Sequence, residues 1–432
     1  MKANRHGLLK AIAFISAVIS MFSCSSCDNE PVLKPSVTIS APENLGASSA
    51  TLVASVIPNL DNTTVSFEYK TDNSAWKSTS LPTKFSGSSA VKVTLDVSDL
   101  EASTQYSFRV SAINASGSAT SSISTFTTAG LPKPVIKIKT AESVKISSAT
   151  LIASVIPNLS NTTISFEYQT ANSAWQTKTL TTSFSGSDSL KITFDLSDLQ
   201  ANTLYNFRVR ASSKAGETIS ATSTFTTYAV SDYDGNYYHT VTIGGQTWLK
   251  ENLKTTHFTN GDAIPSVKDL AVWGNLTSGA YCKFNNNDSI ANIYGYLYNF
   301  YVASDTRSLV NGYHVPVTQE WNTLYNKLYT APLEVMNIVE SLIETGKVHW
   351  TNPIRMGSNS TGFTALPNGG VNVDKDTKTG SFNSLGETAT FWSSDPSNGY
   401  GSANIINQRD YQLMFFGQWF KTDGFGIRLL KN

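Results

Sequence analysis

The sequence is short of reactive chemistry. Of its 432 residues only three are cysteine, and two of those, Cys24 and Cys27, sit near the N-terminus. Cys282 is the one thiol beyond that region, so no internal disulfide can form there, and no CxxC or Cys/His cluster offers a zinc site. Cys282 is expected to be a buried, inert thiol. Charge is sparse too: Asp, Glu, Lys and Arg make up 15% of residues and balance to zero, with no charged run. Without a basic stripe to neutralise phosphates, nucleic acid is not an expected partner. GxSxG and HExxH are absent, and the five histidines show no ligand spacing. Asp262, Asp269, Glu320, Glu387, Asp395, Asp410 and Asp423 form no motif of the paired kind that glycoside hydrolysis requires. Asp374 and Asp376 open like a calcium loop but lack the later acidic ligands, which predicts a turn. Asp232, Asp234 and Gly235 predict a hairpin, with a structural calcium as the open alternative. Neither catalytic residues, a metal nor a cofactor is expected.

What is abundant is Ser, Thr, Asn and aromatic residues, the latter at 11%. At roughly 150 residues per domain, the length suggests about three domains. Lys2, Arg5 and Lys10 flank the apolar run LLKAIAFISAVISMF, too short for an ordinary spanning helix. It leads into MFSCSSCDNEP, which resembles a bacterial lipoprotein signal over residues 1–27. The resemblance implies acylation of Cys24 or Cys27, and the acidic DNE after Cys27 resembles the export stretch of Bacteroidetes surface lipoproteins. Acyl chains contribute roughly 0.8 kcal/mol per buried methylene, enough for two or three chains to hold the protein on a bilayer.

An internal repeat follows. Ser48–Trp76, SSATLVASVIPNLDNTTVSFEYKTDNSAW, returns as SSATLIASVIPNLSNTTISFEYQTANSAW, so that Trp76 recurs as Trp175 at an offset of 99. Alternation in VSFEY and KVTLDV puts apolar residues on one face of each strand. Each copy ends L-x-x-x-T-x-Y-x-F-R-V-x-A…TFTT, with Tyr106, Phe108 and Val110 matched by Tyr205, Phe207 and Val209. The pattern resembles fibronectin type III domains over residues 35–128 and 132–227. That resemblance places Trp76 and Trp175 in the sandwich cores. GLPKP is a short stiff connector, and the pair reads as a spacer.

Residues 228–432 differ in character and hold six of the eight tryptophans: Trp248, Trp273, Trp321, Trp350, Trp392 and Trp419. The series DYDGNYYHTVTIGGQTWLKENL, GYHVPVTQEWNTL, TGFTALPNGG, FWSS and GFGIRLLKN closely resembles the Fibrobacter succinogenes major paralogous domain. The resemblance implies an α+β, C-type-lectin-like module. The family commonly carries CPxGWHVP where this chain has VNGYHVP, and RC where it has Arg428 followed by Leu429. Both departures remove cysteines, so core packing must hold what a staple would hold in relatives.

Two helices are predicted here: one in PVTQEWNTLYNKLY, with Thr318 as N-cap, and one in PLEVMNIVESLIETG, with Leu333, Met336, Val339 and Ile343 on one face. HTVTIG, TFWSS, YQLMFF and FGIRLL read as short strands. Trp248, Trp321 and Trp392 lie in apolar rhythm and are assigned to the core. Trp273 is surrounded in sequence by Gly, Asn, Ser and Thr, Trp350 opens a loop, and Trp419 sits at a strand tip. Flat rings free of packing suit the apolar face of a pyranose, while amides and carboxylates read its hydroxyls. Trp273, Trp419, Tyr281, Tyr411 and Trp350 are therefore the candidate glycan-binding residues, with Asn285, Gln418 and Asp423 beside them.

Taken together, the order of parts resembles the surface glycan-binding lipoproteins of Bacteroidetes polysaccharide utilisation loci. This implies an outer-membrane, surface-exposed monomer, touching the membrane only through its lipid. It would capture a polysaccharide, β-glucan in the first instance, for a neighbouring outer-membrane transporter. The alternatives are an adhesin or fimbria-like protein binding a protein partner, and an enzyme with a dispersed carboxylate pair.

Overall fold

The computed structural model describes residues 33–329, 335–351, 356–407 and 412–432. It divides into two compact units, one ending at Pro132 and one running from Lys133 to Asn432. The lipoprotein signal with Cys24 and Cys27, and the residues Leu333, Asp410 and Tyr411, lie outside the described residues.

In the first unit, β1 (Ser36–Glu43), β2 (Ala50–Ile57) and β5 (Val91–Val97) form a three-stranded antiparallel sheet in the order β1-β2-β5. Facing it is the sheet of β3 (Thr64–Lys70), β4 (Lys77–Ser80), β6 (Gln105–Asn114) and β7 (Gly117–Thr120), ordered β4-β3-β6-β7, with β8 (Ser124–Thr127) also on β6. The predicted alternation is realised: Val65, Phe67, Phe108 and Val110 are fully buried with Leu52 and Val56. Each such side chain contributes roughly 1.5–3 kcal/mol by leaving water. The Tyr106 hydroxyl accepts the Glu101 N–H at 2.9 Å, tying the strand start to the chain just before it. Strand order and tyrosine corner together make this a fibronectin type III-like sandwich.

The second copy repeats it. β9 (Val135–Ile138), β10 (Ala149–Ile156) and β13 (Leu190–Leu196) form one sheet. β11 (Thr162–Thr170), β12 (Gln176–Thr179), β14 (Leu204–Ser213), β15 (Gly216–Ile219) and β16 (Ser223–Thr226) form the other. Tyr205 again accepts a backbone N–H, from Gln200 at 2.9 Å. In both copies one expectation fails. Trp76 and Trp175 are half-exposed and belong to neither core. The residues that fill the cores instead are Phe67 and Phe108, and Phe166 and Phe207, leaving no room for an indole.

The second sandwich and the C-terminal region belong to one unit. Asn202 and Thr240 exchange hydrogen bonds at 3.1 and 3.4 Å. The Tyr228 ring lies 4.2 Å from that of His239, whose Nδ1 meets Glu251 at 2.7 Å.

Beyond Thr227 the structure is mixed. A hairpin of β17 (Val230–Ser231) and β18 (Tyr237–Tyr238) is followed by β19 (Thr240–Ile243) and β20 (Gln246–Leu249), joined through Gly244 and Gly245 at φ 58° and 93°. Only glycine adopts both conformations cheaply, as a tight hairpin turn requires. Next come α1 (Leu270–Trp273), β21 (Tyr281–Cys282), α2 (Asp288–Tyr294), β22 (Leu297–Tyr298), α3 (Phe300–Ala303) and β23 (Tyr313–His314). The two predicted helices are α4 (Thr318–Leu328) and α5 (Val335–Leu342). β24 (Asn368–Val373) pairs β25 (Gly380–Leu385), and β26 (Thr388–Ser397), β27 (Tyr400–Asn407) and β28 (Gln412–Trp419) form a three-stranded sheet. In FGIRLL only the end is a strand, β29 (Leu430–Lys431), which sits between β20 and β23. Phe425 and Gly426 make isolated bridges to Tyr298 and Phe391 instead.

Thr318 is not an N-cap; it is the first residue of α4. Its N–H and hydroxyl both go to Asp395 at 2.7 and 3.0 Å, while Glu320 reaches back to the Val317 N–H at 2.9 Å. A carboxylate brought in from β26 thus does the work expected of the local hydroxyl. Trp248, Trp321 and Trp392 are buried as expected, and Leu309, Val310 and Leu429 share one apolar cluster where the resemblance put cysteines.

Candidate functional site

The structure separates the four described candidate rings sharply; the fifth, Tyr411, lies outside the described residues. Trp273 is fully buried, among Cys282, Leu297, Val371 and Val373. Asp269 caps α1 by accepting the Ala271 N–H at 2.8 Å, which turns the indole inward, and the Trp273 Nε1–H donates to the Thr422 carbonyl at 2.6 Å. The polar neighbours in sequence misled; the apolar neighbours arrive from β24, about a hundred residues later. Trp273 is thus a packing residue, not a platform. Trp350 is only 3% exposed, in the cluster of Trp248, Trp321 and Phe363, and is likewise corrected to the core.

Trp419 is half-buried. Its ring meets Phe425 edge-on at 5.2 Å and 84°, and its indole N–H has no partner among the described residues. Gln418 beside it is exposed. Asp423 is not available to read hydroxyls: it is 2% exposed and accepts the Val373 and Phe420 N–H groups at 2.7 and 2.8 Å. Burial raises its carboxyl to about 6, against the opposing pull of those two backbone donors.

Tyr281 is half-exposed. On β21 the side chains alternate: Cys282 turns in beside Trp273, and Tyr281 turns to the other face, half-exposed. There it stacks on Tyr296, centroids 4.9 Å apart and planes 15° from parallel. The fully buried Tyr298 backs both at 6.3 and 6.5 Å and is anchored by its hydroxyl to the Thr255 carbonyl at 2.8 Å. The Lys283 ammonium lies 5.5 Å from the Tyr296 ring and pairs with Asp288 at 2.5 Å. Asn285, Asn286 and Asn287 follow, all exposed, with Asn285 and Asn286 at φ 51° and 53°, a conformation asparagine tolerates better than most residues. Tyr296 is not among the sequence candidates; it lies between the end of α2 at Tyr294 and the start of β22 at Leu297, where neither periodicity marks it.

The neighbouring acidic hairpin is occupied by the chain itself. Asp232 accepts from Asn236 and from the Tyr238 hydroxyl, at 2.9 and 2.7 Å. Asp234 takes the Thr255 and Thr256 hydroxyls at 3.0 Å, the Thr256 N–H, and His257 Nδ1 at 2.6 Å. These donors hold its carboxyl below the usual carboxylate range despite the opposing effect of partial burial. Among the described residues no cluster of three His, Cys, Asp or Glu is placed to hold a metal. Asp374 accepts the Thr377 N–H at 2.7 Å in a turn. Cys282 is 1% exposed, and burial pushes its thiol up.

Three further carboxylates are similarly engaged. Asp262 and Asp305 share Arg307 at 2.8 and 2.7 Å beside a cleft of about 300 Å³, and Glu320 holds His314 at 2.9 Å. Among the described residues no helix is long and apolar enough to cross a membrane.

Comparison with known proteins gives short overlaps. The sensor domain of the anti-sigma factor RsgI4 of Pseudobacteroides cellulosolvens is 25% identical over 23% of this chain and 100% of its own, at a TM-score of 0.20. The chicken CNTN1 FN1–FN3 domains are 20% identical over 45% of this chain and 68% of theirs, at 0.20. A two-domain fibronectin type III segment of chicken tenascin is 15% identical over 44% and 98%, at 0.25. TM-scores this low fix neither fold nor function. No curated protein matches the chain. Its C-terminal part, residues 241–431, matches the Fibrobacter succinogenes major domain family.

Proposed function

We propose that the chain is a cell-surface glycan-binding protein that holds a polysaccharide on its C-terminal domain. The observation that carries this reading is the half-exposed Tyr281–Tyr296 stack, fixed from behind by buried Tyr298, with exposed Asn285 and Asn286 following Tyr281 in the chain. Two rings held in place lose little freedom when a sugar settles on them, and an amide-rich edge can match hydroxyls directionally. Trp419 with Gln418 offers a further half-open ring on the same domain. A C-type-lectin-like fold for this domain belongs to the same reading.

Binding rather than catalysis is supported by Asp262, Asp269, Glu320 and Asp395, which are engaged in ion pairs or helix caps and form no facing pair. A shallow stack of this kind should bind in roughly the micromolar to millimolar range, and many copies gripping one polymer would raise avidity. The lipoprotein-like N-terminus supports anchoring through Cys24 or Cys27 at the outer membrane, with a neighbouring transporter as recipient and β-glucan as the first ligand to try.

The test is affinity electrophoresis of the chain from Asp28 onward in gels cast with laminarin, barley β-glucan, xyloglucan, xylan or mannan. Retardation by one glycan that Tyr281→Ala or Tyr296→Ala weakens is the expected result. No retardation in any gel would sink the reading and favour a protein-binding adhesin.

A further inference from the structure

Trp76 and Trp175 have no place in either core and none in the C-terminal site. Each follows a tight turn, Thr71–Ser74 or Thr170–Ser173, closed in both copies by a backbone N–H to serine Oγ bond of 2.9 Å. Each indole lies over the outer face of its sheet, on a guanidinium: Arg109 Cζ is 4.5 Å from the Trp76 ring and Arg208 Cζ 4.2 Å from the Trp175 ring. The guanidinium is itself held by a carboxylate on the adjacent strand, Glu68 or Glu167, at 2.5 Å. At Trp76, Lys70 Nζ also lies 5.3 Å from the ring, and both tryptophans stay half-exposed.

The two copies differ in an informative way. Around Trp76 stand Lys70, Asp72 and Lys77; the matching positions around Trp175 are Gln169, Ala171 and Gln176. The exposed charge has changed, whereas Trp, its Arg–Glu clamp and the exposed Asn73–Ser74 or Asn172–Ser173 edge are the same. Whatever both platforms share cannot depend on a charged ligand. A flat apolar face next to an exposed amide fits an uncharged sugar ring, whose C–H face stacks on indole and whose hydroxyls bond to amides.

We infer that each sandwich carries its own sugar-stacking subsite, centred on Trp76 and on Trp175, so that the repeat is a pair of secondary polysaccharide contacts as well as a spacer. The ligand class rests on the glycan reading above; the location does not. Linked weak subsites gripping one polymer multiply its apparent affinity without any one being strong.

The test uses the chain from Asp28 onward in the same five glycan gels, comparing wild type, Trp76→Ala/Trp175→Ala, Tyr281→Ala/Tyr296→Ala and the combination of all four. Trp76→Phe/Trp175→Phe guards against a folding defect, because it keeps a stackable ring. The expected result is a drop of about tenfold in polymer affinity for the double tryptophan variant, partial retention in the phenylalanine pair, and loss of all retardation in the fourfold variant. Wild-type retardation that the tryptophan pair leaves unchanged would overturn the subsites while the C-terminal reading stands. Retardation lost with the tryptophans and untouched by the tyrosines would keep the subsites and overturn the C-terminal stack. Wild type that no glycan retards would overturn both.

Discussion

The sandwiches and the C-terminal domain use tryptophan in opposite ways. In the C-terminal domain Trp248, Trp273, Trp321, Trp350 and Trp392 are at most 3% exposed, although several sit in polar stretches of sequence. In the sandwiches the single tryptophan of each copy lies outside the core, on a guanidinium. A mixed domain with short elements needs large rings to fill irregular space between them. A regular alternation of Val, Ile, Leu and Phe already closes each sandwich core, so its tryptophan is left over. Ring exposure thus follows what the scaffold needs, not the polarity of the adjoining residues.

The sharpest way to break this contrast is to remove a ring on each side. Trp392 is fully buried, donates its Nε1–H to the Tyr298 carbonyl at 2.7 Å and touches Phe300 and Phe425 at 5.4 and 4.7 Å. Trp392→Ala should cost about 3–5 kcal/mol of stability, and Trp273→Ala a comparable amount, read by denaturant unfolding. If Trp273→Ala left unfolding unchanged and abolished glycan retardation, its place in the core would be wrong.

The sandwiches were legible because their information is local: strand alternation, a tyrosine six residues after the leucine of L-x-x-x-T-x-Y, and a literal repeat. The C-terminal contacts are long-range, and sequence patterns do not carry them. Trp273 meets Val371 and Thr422, Thr318 meets Asp395, and Tyr281 meets Tyr296 across a strand pair. Of the five candidate rings, Tyr281 stands out in the sequence for its loop, yet the ring it stacks on, Tyr296, is one the loop does not contain. The sandwich tryptophans were misplaced for the converse reason: general resemblance put them inside, and only the filled cores show otherwise.

Asp423 gives the next effect in size. Its folded-state carboxyl stands at about 6 and its ordinary value is 3.8. The folded chain therefore holds this proton more tightly than the unfolded chain, and stability should rise as pH falls from 7 towards 5. The full burial penalty, present above pH 6, is of order 3 kcal/mol. Carboxylates held low by their partners, such as Asp234 and Asp305, act in the opposite sense but only as pH falls below about 4. Thermal unfolding of Asp423→Asn between pH 5 and 7 should lose the slope that wild type shows; an unchanged slope would assign it elsewhere.

Smaller still is the tyrosine stack. Tyr296→Ala removes one face of the platform and should weaken glycan binding by about tenfold, roughly 1.4 kcal/mol, with little change in unfolding because the ring is half-exposed. Tyr296→Phe keeps the ring and should retain most of the affinity. If Phe were as damaging as Ala, hydroxyl contacts and not stacking would be the basis of recognition.

The smallest expected effect is also the most discriminating for the comparison. Replacing Trp76 by Ala removes an exposed cation–π contact, worth about 0.5–1 kcal/mol, and no core volume. The first sandwich should then unfold within a few degrees of wild type, since one kcal/mol moves a domain of this size by roughly 4–8 °C. Trp175→Ala should behave alike, although Arg208 and Arg210 remain tied to Glu167 and Arg210 also to Glu217. That network should hold the sheet face without the indole. A loss from Trp76→Ala as large as that from Trp392→Ala would mean that the indole is needed to close the sheet, and the two regions would no longer differ in kind.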